Sequence, residues 1–209
     1  MQRIALPKPR FKGGISVAEA LSSRRTTRRF DSEKIDLPTI SQLLWALQGI
    51  TFEEDSPTGQ KIQHRTAPSA GRTYPLEITV ALSTGLYRYD PESHHLDMTQ
   101  KEDVRDKLSE AAISPLNREA IRKAPITVIL AADNRRSLKA TPLFENASRF
   151  VHLEAGHATQ NLILQARSYG LGVCTITSYN VGYVYKALKL PLDKRPIYIL
   201  PTGFPKEES

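Results

Sequence analysis

The sequence has one cysteine, one tryptophan, two methionines and five histidines in 209 residues. A single cysteine, Cys174, excludes an internal disulfide and a cysteine-based zinc site. His152 and His157 fall in a helical pattern, where a spacing of five turns them about 140° apart. His94 and His95 are neighbours in a hairpin pattern and alternate faces, so neither pair is spaced to share a metal. No apolar run approaches the ~20 residues that span a bilayer. The start, MQRIALPKPRFKGG, has no apolar region of the signal-peptide kind, so a soluble cytoplasmic protein is expected. There is no phosphate loop and no nucleophile elbow. Gly170-Leu171-Gly172 lacks the third glycine of a dinucleotide fingerprint and leads from helix to strand, the reverse of that motif.

What is present is charge in one place. The chain carries 29 Lys and Arg against 22 Asp and Glu, a net charge of +7. Residues 1–30 hold eight of the cations: Arg3, Lys8, Arg10, Lys12, Arg24, Arg25, Arg28 and Arg29, beside one acid, Glu19. The other 179 residues are neutral, with 21 groups of each sign. A protein that coats nucleic acid spreads its basic excess over a face. Confinement to one stretch points instead to a localised anion site, with no nucleic-acid or membrane partner expected.

A hydrophobic fraction of 40% supports a real core. Residues 1–14 read as a basic extended arm and residues 15–209 as one domain. Ser16 and Glu19 have capping-box spacing, opening a helix from about Val17 to Arg24. A second helix, Ile40–Gln48, is opened by Asp36 or Thr39 with Pro38 and stopped at Gly49. Residues 51–66 are polar and weakly patterned, which suggests a mobile or functional lid. Strands are expected at Leu76–Leu82, in a hairpin over 86–98, and at Ile126–Ala132, Val173–Tyr179 and Ile197–Leu200. Helices are expected at Val104–Ile113, Asn117–Lys123, Phe144–Tyr169 and Val181–Leu188. The long one has a second apolar set, Phe150, Leu153, Ile163 and Leu164, so it wants partners on both sides. The order favours an α+β fold with a mixed central sheet wrapped by helices.

Three segments stand out for chemistry. In Arg24-Arg25-Thr26-Thr27-Arg28-Arg29-Phe30, four guanidiniums repel one another unless an anion neutralises them, and forks beside hydroxyls suit phosphate. A solvated helix end complementing its dipole is the competing explanation. Arg65 to Pro75 is a loop of small residues that lets a ligand approach the backbone, or an ordinary entry into a strand. Gly170 to Ser178 and Pro201-Thr-Gly-Phe-Pro are the third, each alone a plain stop or turn. Cys174 beside Thr175 reads as a small buried side chain.

Taken in order, RRTTRRFD, APSAGRTYPLE, EAGHATQNLILQARSYGLG and PTGFPK resemble the FMN-dependent nitroreductase superfamily from about Ile15 to Lys206. APSAGRTYPLE followed by GLYRYDPESHHL looks most like the subgroup of flavin dehydrogenases that oxidise azolines to azoles. The resemblance implies a homodimer with the long helix at its interface and two FMN molecules held by residues of both subunits. By position, Arg24 and Thr26 hold the FMN phosphate with Arg25 close by, and Arg28 lies near N1 and O2 of the ring. Pro68, Ser69, Ala70, Gly71 and Arg72 line the flavin. Ile176, Thr177 and Ser178 approach its N5 edge, and Pro201, Gly203 and Lys206 supply the C-terminal contacts. Relatives often have an asparagine and a Ser-Gln-Pro run where this chain has Arg72-Thr73-Tyr74-Pro75, and a basic pair where it has only Lys206.

The implied activity is ping-pong hydride transfer through flavin N5, from NADH or NADPH to a small organic acceptor. No residue is expected to be catalytic in its own right, because the cofactor does the chemistry. A dehydrogenase working in the other direction and a non-catalytic flavin-binding protein are the alternatives.

Overall fold

In the computed structural model, which describes residues 2–206, a strand buried on both faces organises everything else. The chain runs β1 (Arg3–Ala5), α1 (Val17–Ser23), α2 (Leu37–Gln48), β2 (Ile50–Asp55), β3 (Lys61–Arg65) and a 3-10 turn (Ala70–Arg72). It continues through β4 (Leu76–Leu82), β5 (Gly85–Asp90), β6 (His95–Gln100), α3 (Arg105–Ser109), α4 (Pro115–Lys123), β7 (Ile126–Asp133) and α5 (Asn134–Ser137). It ends with α6 (Phe144–Ser168), β8 (Gly172–Val173), α7 (Val181–Leu188) and β9 (Lys194–Gly203). Every residue of β7 is buried. Its apolar run therefore needs cover on both faces, which a sheet flanked by helices supplies.

The sheet has seven strands in the order β1-β6-β5-β4-β7-β9-β8, with β2 and β3 forming a separate hairpin. All of the ladders are antiparallel. The parallel component is one isolated bridge, Thr26 to Val173. On one face Val128 and Leu130 pack with Leu43, Leu44 and Leu47 of α2 and Val151, Ala155, Ala158 and Leu162 of α6. On the other, Ile129 and Ile199 pack with Leu108, Ile121, Val184 and Leu188. Leu43, Leu44 and Leu47 are fully buried, each contributing about 1.5–3 kcal/mol relative to exposure. The fold is α+β, a central sheet wrapped by helices.

Several expectations change. Residues 51–66 are mostly a hairpin, β2–β3, docked by Trp45 Nε1 donating to Ile50 O (3.2 Å) and Tyr74 Oη to Gln63 O (3.1 Å). Its apolar residues, Ile50, Phe52 and Ile62, are interleaved with polar and charged ones and none is buried, so the alternation is too weak to read. The arm is stitched to its own chain. Arg3–Ala5 pairs with β6, Arg10 N donates to Gln42 Oε1 (2.7 Å), and Phe11 meets Trp45. The Val173–Tyr179 strand shrinks to β8 plus a bridge from Ile176 to Ile199. The Val104–Ile113 helix shortens to Arg105–Ser109. The capping box at Ser16 and Glu19 is present, with amide-to-side-chain distances of 2.7 and 3.1 Å.

Candidate functional site

The first and last sequence motifs meet at one end of the sheet. Past α1 the chain runs beside β8: Thr26 bridges Val173, and Thr27 N donates to Val173 O (3.1 Å). A Cβ on Gly172 would fall 2.1 Å from Thr27 Oγ1, so only glycine allows this approach. Phe30 then bridges Pro205, and Lys206 N donates to Arg29 O (3.0 Å). Gly203 lies under this crossing, where a Cβ would meet Pro125 Cδ at 2.5 Å. Its role is to let Phe30 and Pro125 close together.

A cleft of about 340 Å³ opens here, lined by Thr26, Arg28, Leu116 and Lys206 among others. Arg28 Nε donates to Asn117 Oδ1 (3.2 Å), and the Cys174 thiol faces the same oxygen at 3.9 Å. Burial pushes the Cys174 thiol up, against the opposing pull of Arg28. Arg24 caps α1, and Arg25 Nη1 donates to Ser22 O (2.9 Å) and Arg24 O (2.8 Å). Among the described residues, Arg24, Arg25 and Arg28 have no carboxylate partner. Asp31 and Glu119 line an adjoining cleft of about 460 Å³ without pairing with Arg28. Uncompensated guanidiniums beside exposed Thr26 and Lys206 fit a phosphate ester.

Of the third segment, Ile176 is in the core, and its N and O both bond Ile199 (2.9 and 3.1 Å). That leaves Thr177 and Ser178, both exposed, to face a ligand. Exposed Thr175 joins them and was not among the expected residues.

The Pro68–Arg72 segment is elsewhere. Pro75 O accepts from Asp133 N (2.9 Å) at the far end of β7, whereas Gly203 packs on Pro125 at its start. Seven steps of strand separate these ends, roughly 23 Å at about 3.3 Å per residue. One subunit therefore does not bring Ser69–Arg72 and Arg24–Arg28 together. The loop is strained: Arg72 and Tyr74 hold φ of 53° and 43°, a backbone choice that costs on the order of 1–3 kcal/mol each. It is held by Tyr74 N donating to Ser69 Oγ (2.9 Å), Arg136 Nη1 donating to Tyr74 O (3.2 Å) and the Arg65 guanidinium 4.4 Å above the Tyr74 ring. Behind it, Gln48 Nε2 donates to buried Glu154 Oε1 (2.9 Å). Burial pushes Glu154 up, against hydrogen bonds from Ser69 and Gln48.

The nitroreductase family profile matches residues 21–204. The chain belongs to the nitroreductase family. It is 32% identical over 195 residues to a Methanocaldococcus jannaschii protein named as a nitroreductase, covering 90% of this chain and 91% of that one. A crystal structure of a Ralstonia eutropha protein, also named as a nitroreductase, superposes with TM-score 0.81 at 27% identity, covering 100% of this chain and 91% of that one. A chain of the Escherichia coli microcin synthetase complex, solved with a truncated pro-peptide bound, superposes with TM-score 0.70 at 21% identity. That likeness covers 97% of this chain and 78% of that one, and shows a shared fold.

For this nitroreductase-family chain, sequence reasoning missed Asn117, Gln48 and Glu154. Asn117 lies in a short polar helix, and nothing in its neighbourhood marks it. Gln48 and Glu154 carry a usable signal, since each is a polar residue within the apolar pattern of α2 or α6.

Proposed function

We propose that this nitroreductase-family oxidoreductase is a cytoplasmic FMN enzyme that takes electrons from NADH or NADPH and passes them to a small organic acceptor in the same cleft. The observation that carries the reading is the Arg24–Arg28 cluster, uncompensated by carboxylates beside Lys206 and an exposed threonine. Arg24 and Thr26 would hold the phosphate, with Lys206 closing from the C-terminal side. Arg28, oriented by Asn117, would stand near N1 and O2 and favour negative charge there. A fixed cation aimed at developing charge costs no reorganisation when the charge arrives. FMN, when bound, supplies two-electron chemistry at N5.

The site is completed by a second subunit. The roughly 23 Å between Ser69–Arg72 and Arg24–Arg28, from seven strand steps, supports giving the two segments to different flavins. Leu143, Phe144 and Leu153 are 61%, 59% and 54% exposed at or on the N-terminal half of α6. Gly156 has open space above it on the same helix. Leu153 and Gly156, three residues apart, share one side of α6, and such a face suits a homodimer. The azoline-type direction rests on the motifs APSAGRTYPLE and GLYRYDPESHHL alone.

The test is an absorption spectrum of purified protein, then anaerobic titration with each nicotinamide nucleotide. Bound flavin bleached by one of them is expected. Colourless protein that takes up no added FMN would reject the reading. Bound flavin that no nicotinamide nucleotide bleaches would favour the dehydrogenase or the non-catalytic alternative.

A further inference from the structure

A second concentration of positive charge lies at the other end of β7. A cleft of about 600 Å³ runs between β3 and the strained turn at 71–74. Lys61, Arg65, Arg72 and Arg136 line it, against one carboxylate, Glu92. Arg136 is already engaged by Glu77 (3.2 Å) and Tyr74 O, so it sets the field. Lys61 pairs with Glu53 only at 3.7 Å, and its side chain is 70% exposed. Arg72 is exposed, and no described residue pairs with it.

Arg65 is the informative member. It lies half-buried, with its face over Tyr74. Its Nε is buried and has no hydrogen-bond partner, and Nη1 reaches Gln48 Oε1 only at 3.5 Å. Burial pulls its pKa down, outweighing the opposing pull of Tyr74, Glu92 and Glu154. A buried guanidinium with idle donors is costly unless an acceptor arrives. The turn supplies the rest. Gly71 removes the Cβ that would fall 2.8 Å from Ala140 Cβ, and the left-handed backbone at Arg72 and Tyr74 sets the wall of the cleft. Strained backbone held this firmly by its surroundings clusters at binding surfaces.

We propose that this cleft binds a phosphomonoester on the molecule that exchanges electrons with the flavin. With Arg136 answered by Glu77 and Asp133, and Lys61 only loosely paired with Glu53, the cations left to a ligand are Arg65, Arg72 and Lys61 against Glu92, an excess that suits a dianion better than a lone carboxylate. Arg72 and Lys61 close on the phosphate from opposite walls, and Arg65 and Arg136 hold the field behind them. Arg72 is thereby assigned to this cleft and not to the flavin. That the ligand is the electron-exchanging molecule rests on the flavin reading, and the anion site itself does not. The phosphate belongs either to the 2′-position of NADPH or to a phosphorylated acceptor.

The experiment titrates the full-length, FMN-loaded protein with inorganic phosphate, read by calorimetry at constant ionic strength. Saturable uptake is expected, weakened about tenfold by Lys61→Gln and by Arg72→Gln, as loss of one charge-assisted contact implies. Both positions are exposed, so an unchanged unfolding midpoint checks the fold. No saturable uptake by the wild type, or uptake that survives both substitutions, overturns the proposal. With uptake established, anaerobic reduction separates the sources. A preference for NADPH over NADH that collapses in both variants puts the phosphate on the donor. Equal rates with both donors, equal also in the variants, put it on the acceptor. Protein that takes up no FMN but still loses phosphate uptake in the two variants would end the flavin reading and leave the cleft standing.

Discussion

Two clusters of charge lie at opposite ends of β7, and they are built on opposite plans. At Asp133 the cations are answered. Lys194 Nζ donates to Asp133 Oδ2 (2.7 Å) and Glu77 Oε1 (2.6 Å), and Arg135 and Arg136 complete the ring from the surface. At Arg24–Arg28 the cations face solvent and one another, with backbone and amide oxygens as their partners. The first arrangement ties β4, β7 and β9 together. The second ties no strands together, and under the proposed function its uncompensated charge is answered by an anion from outside. Charge density alone does not separate structure from function; compensation does.

The largest break in that contrast comes from Asp133→Ala. Removing Asp133 leaves Lys194, whose side chain is 12% exposed, with Glu77 as its remaining carboxylate, and takes one charged partner from Arg135. Losing a hydrogen bond between charged groups while the second carboxylate remains costs about 1.5–3 kcal/mol. The urea midpoint of the flavin-free protein should fall accordingly, while Arg24→Gln leaves it where it was. Equal midpoints for the two variants would show that the two clusters are not different in kind.

The next effect is on ligand affinity and reverses the order. Arg24→Gln should weaken FMN binding by roughly 10–100-fold, the loss of one charged hydrogen-bonding partner to phosphate. Asp133→Ala should leave it unchanged in whatever fraction remains folded. Fluorescence quenching of added FMN reads both. If Arg24→Gln binds FMN as the wild type does, the phosphate is held elsewhere.

How far these clusters could be read from sequence differs for a physical reason. The Arg24–Arg29 excess is contiguous, so counting finds it, and the long helix, β4, β7 and α7 announce themselves through apolar periodicity. The compensated cluster is assembled from Glu77, Asp133 and Lys194, up to 117 residues apart, and no local pattern encodes it. The same holds for Asn117 beside Arg28, 89 residues away. The β2–β3 hairpin was illegible because Ile50, Phe52 and Ile62 are few and set among polar and charged residues, and β1 because three residues are too few to show a period. The family resemblance implies flavin contacts from both subunits but does not divide the residues between them. Only the topology shows that Ser69–Arg72 and Arg24–Arg28 sit at opposite ends of a strand.

Titration sharpens the comparison further. Burial alone would raise Asp133, but hydrogen bonds from Arg135 and Lys194 outweigh it and hold the carboxyl well below the usual range. Its folded pKa lies below the unfolded value of about 3.9. Its stabilisation is therefore complete above that value and lost as pH falls through the folded pKa. Glu154 is the opposite case, because burial raises it. Its contribution favours folding below about pH 4.3 and is lost as pH rises through the folded pKa. Urea midpoints against pH should lose part of their acid decline in Asp133→Asn, and part of their fall above about pH 4.3 in Glu154→Gln.

The smallest effect divides the arginine cluster itself. Arg25 Nη1 bonds the carbonyls of Ser22 and Arg24, so it occupies the C-terminal end of α1, where a cation complements the helix dipole. Arg24 makes no such side-chain contact. Arg25→Ala should therefore cost about 0.5 kcal/mol of stability and change FMN affinity less than Arg24→Gln does. Paired urea and FMN titrations on the two variants read the division directly. If Arg25→Ala instead loses as much FMN affinity as Arg24→Gln with no change in midpoint, its carbonyl contacts are dispensable and both guanidiniums belong to the anion. If both variants lose only stability, the stretch is a dipole-complementing helix end after all, and the excess charge with which the chain begins has no ligand to answer.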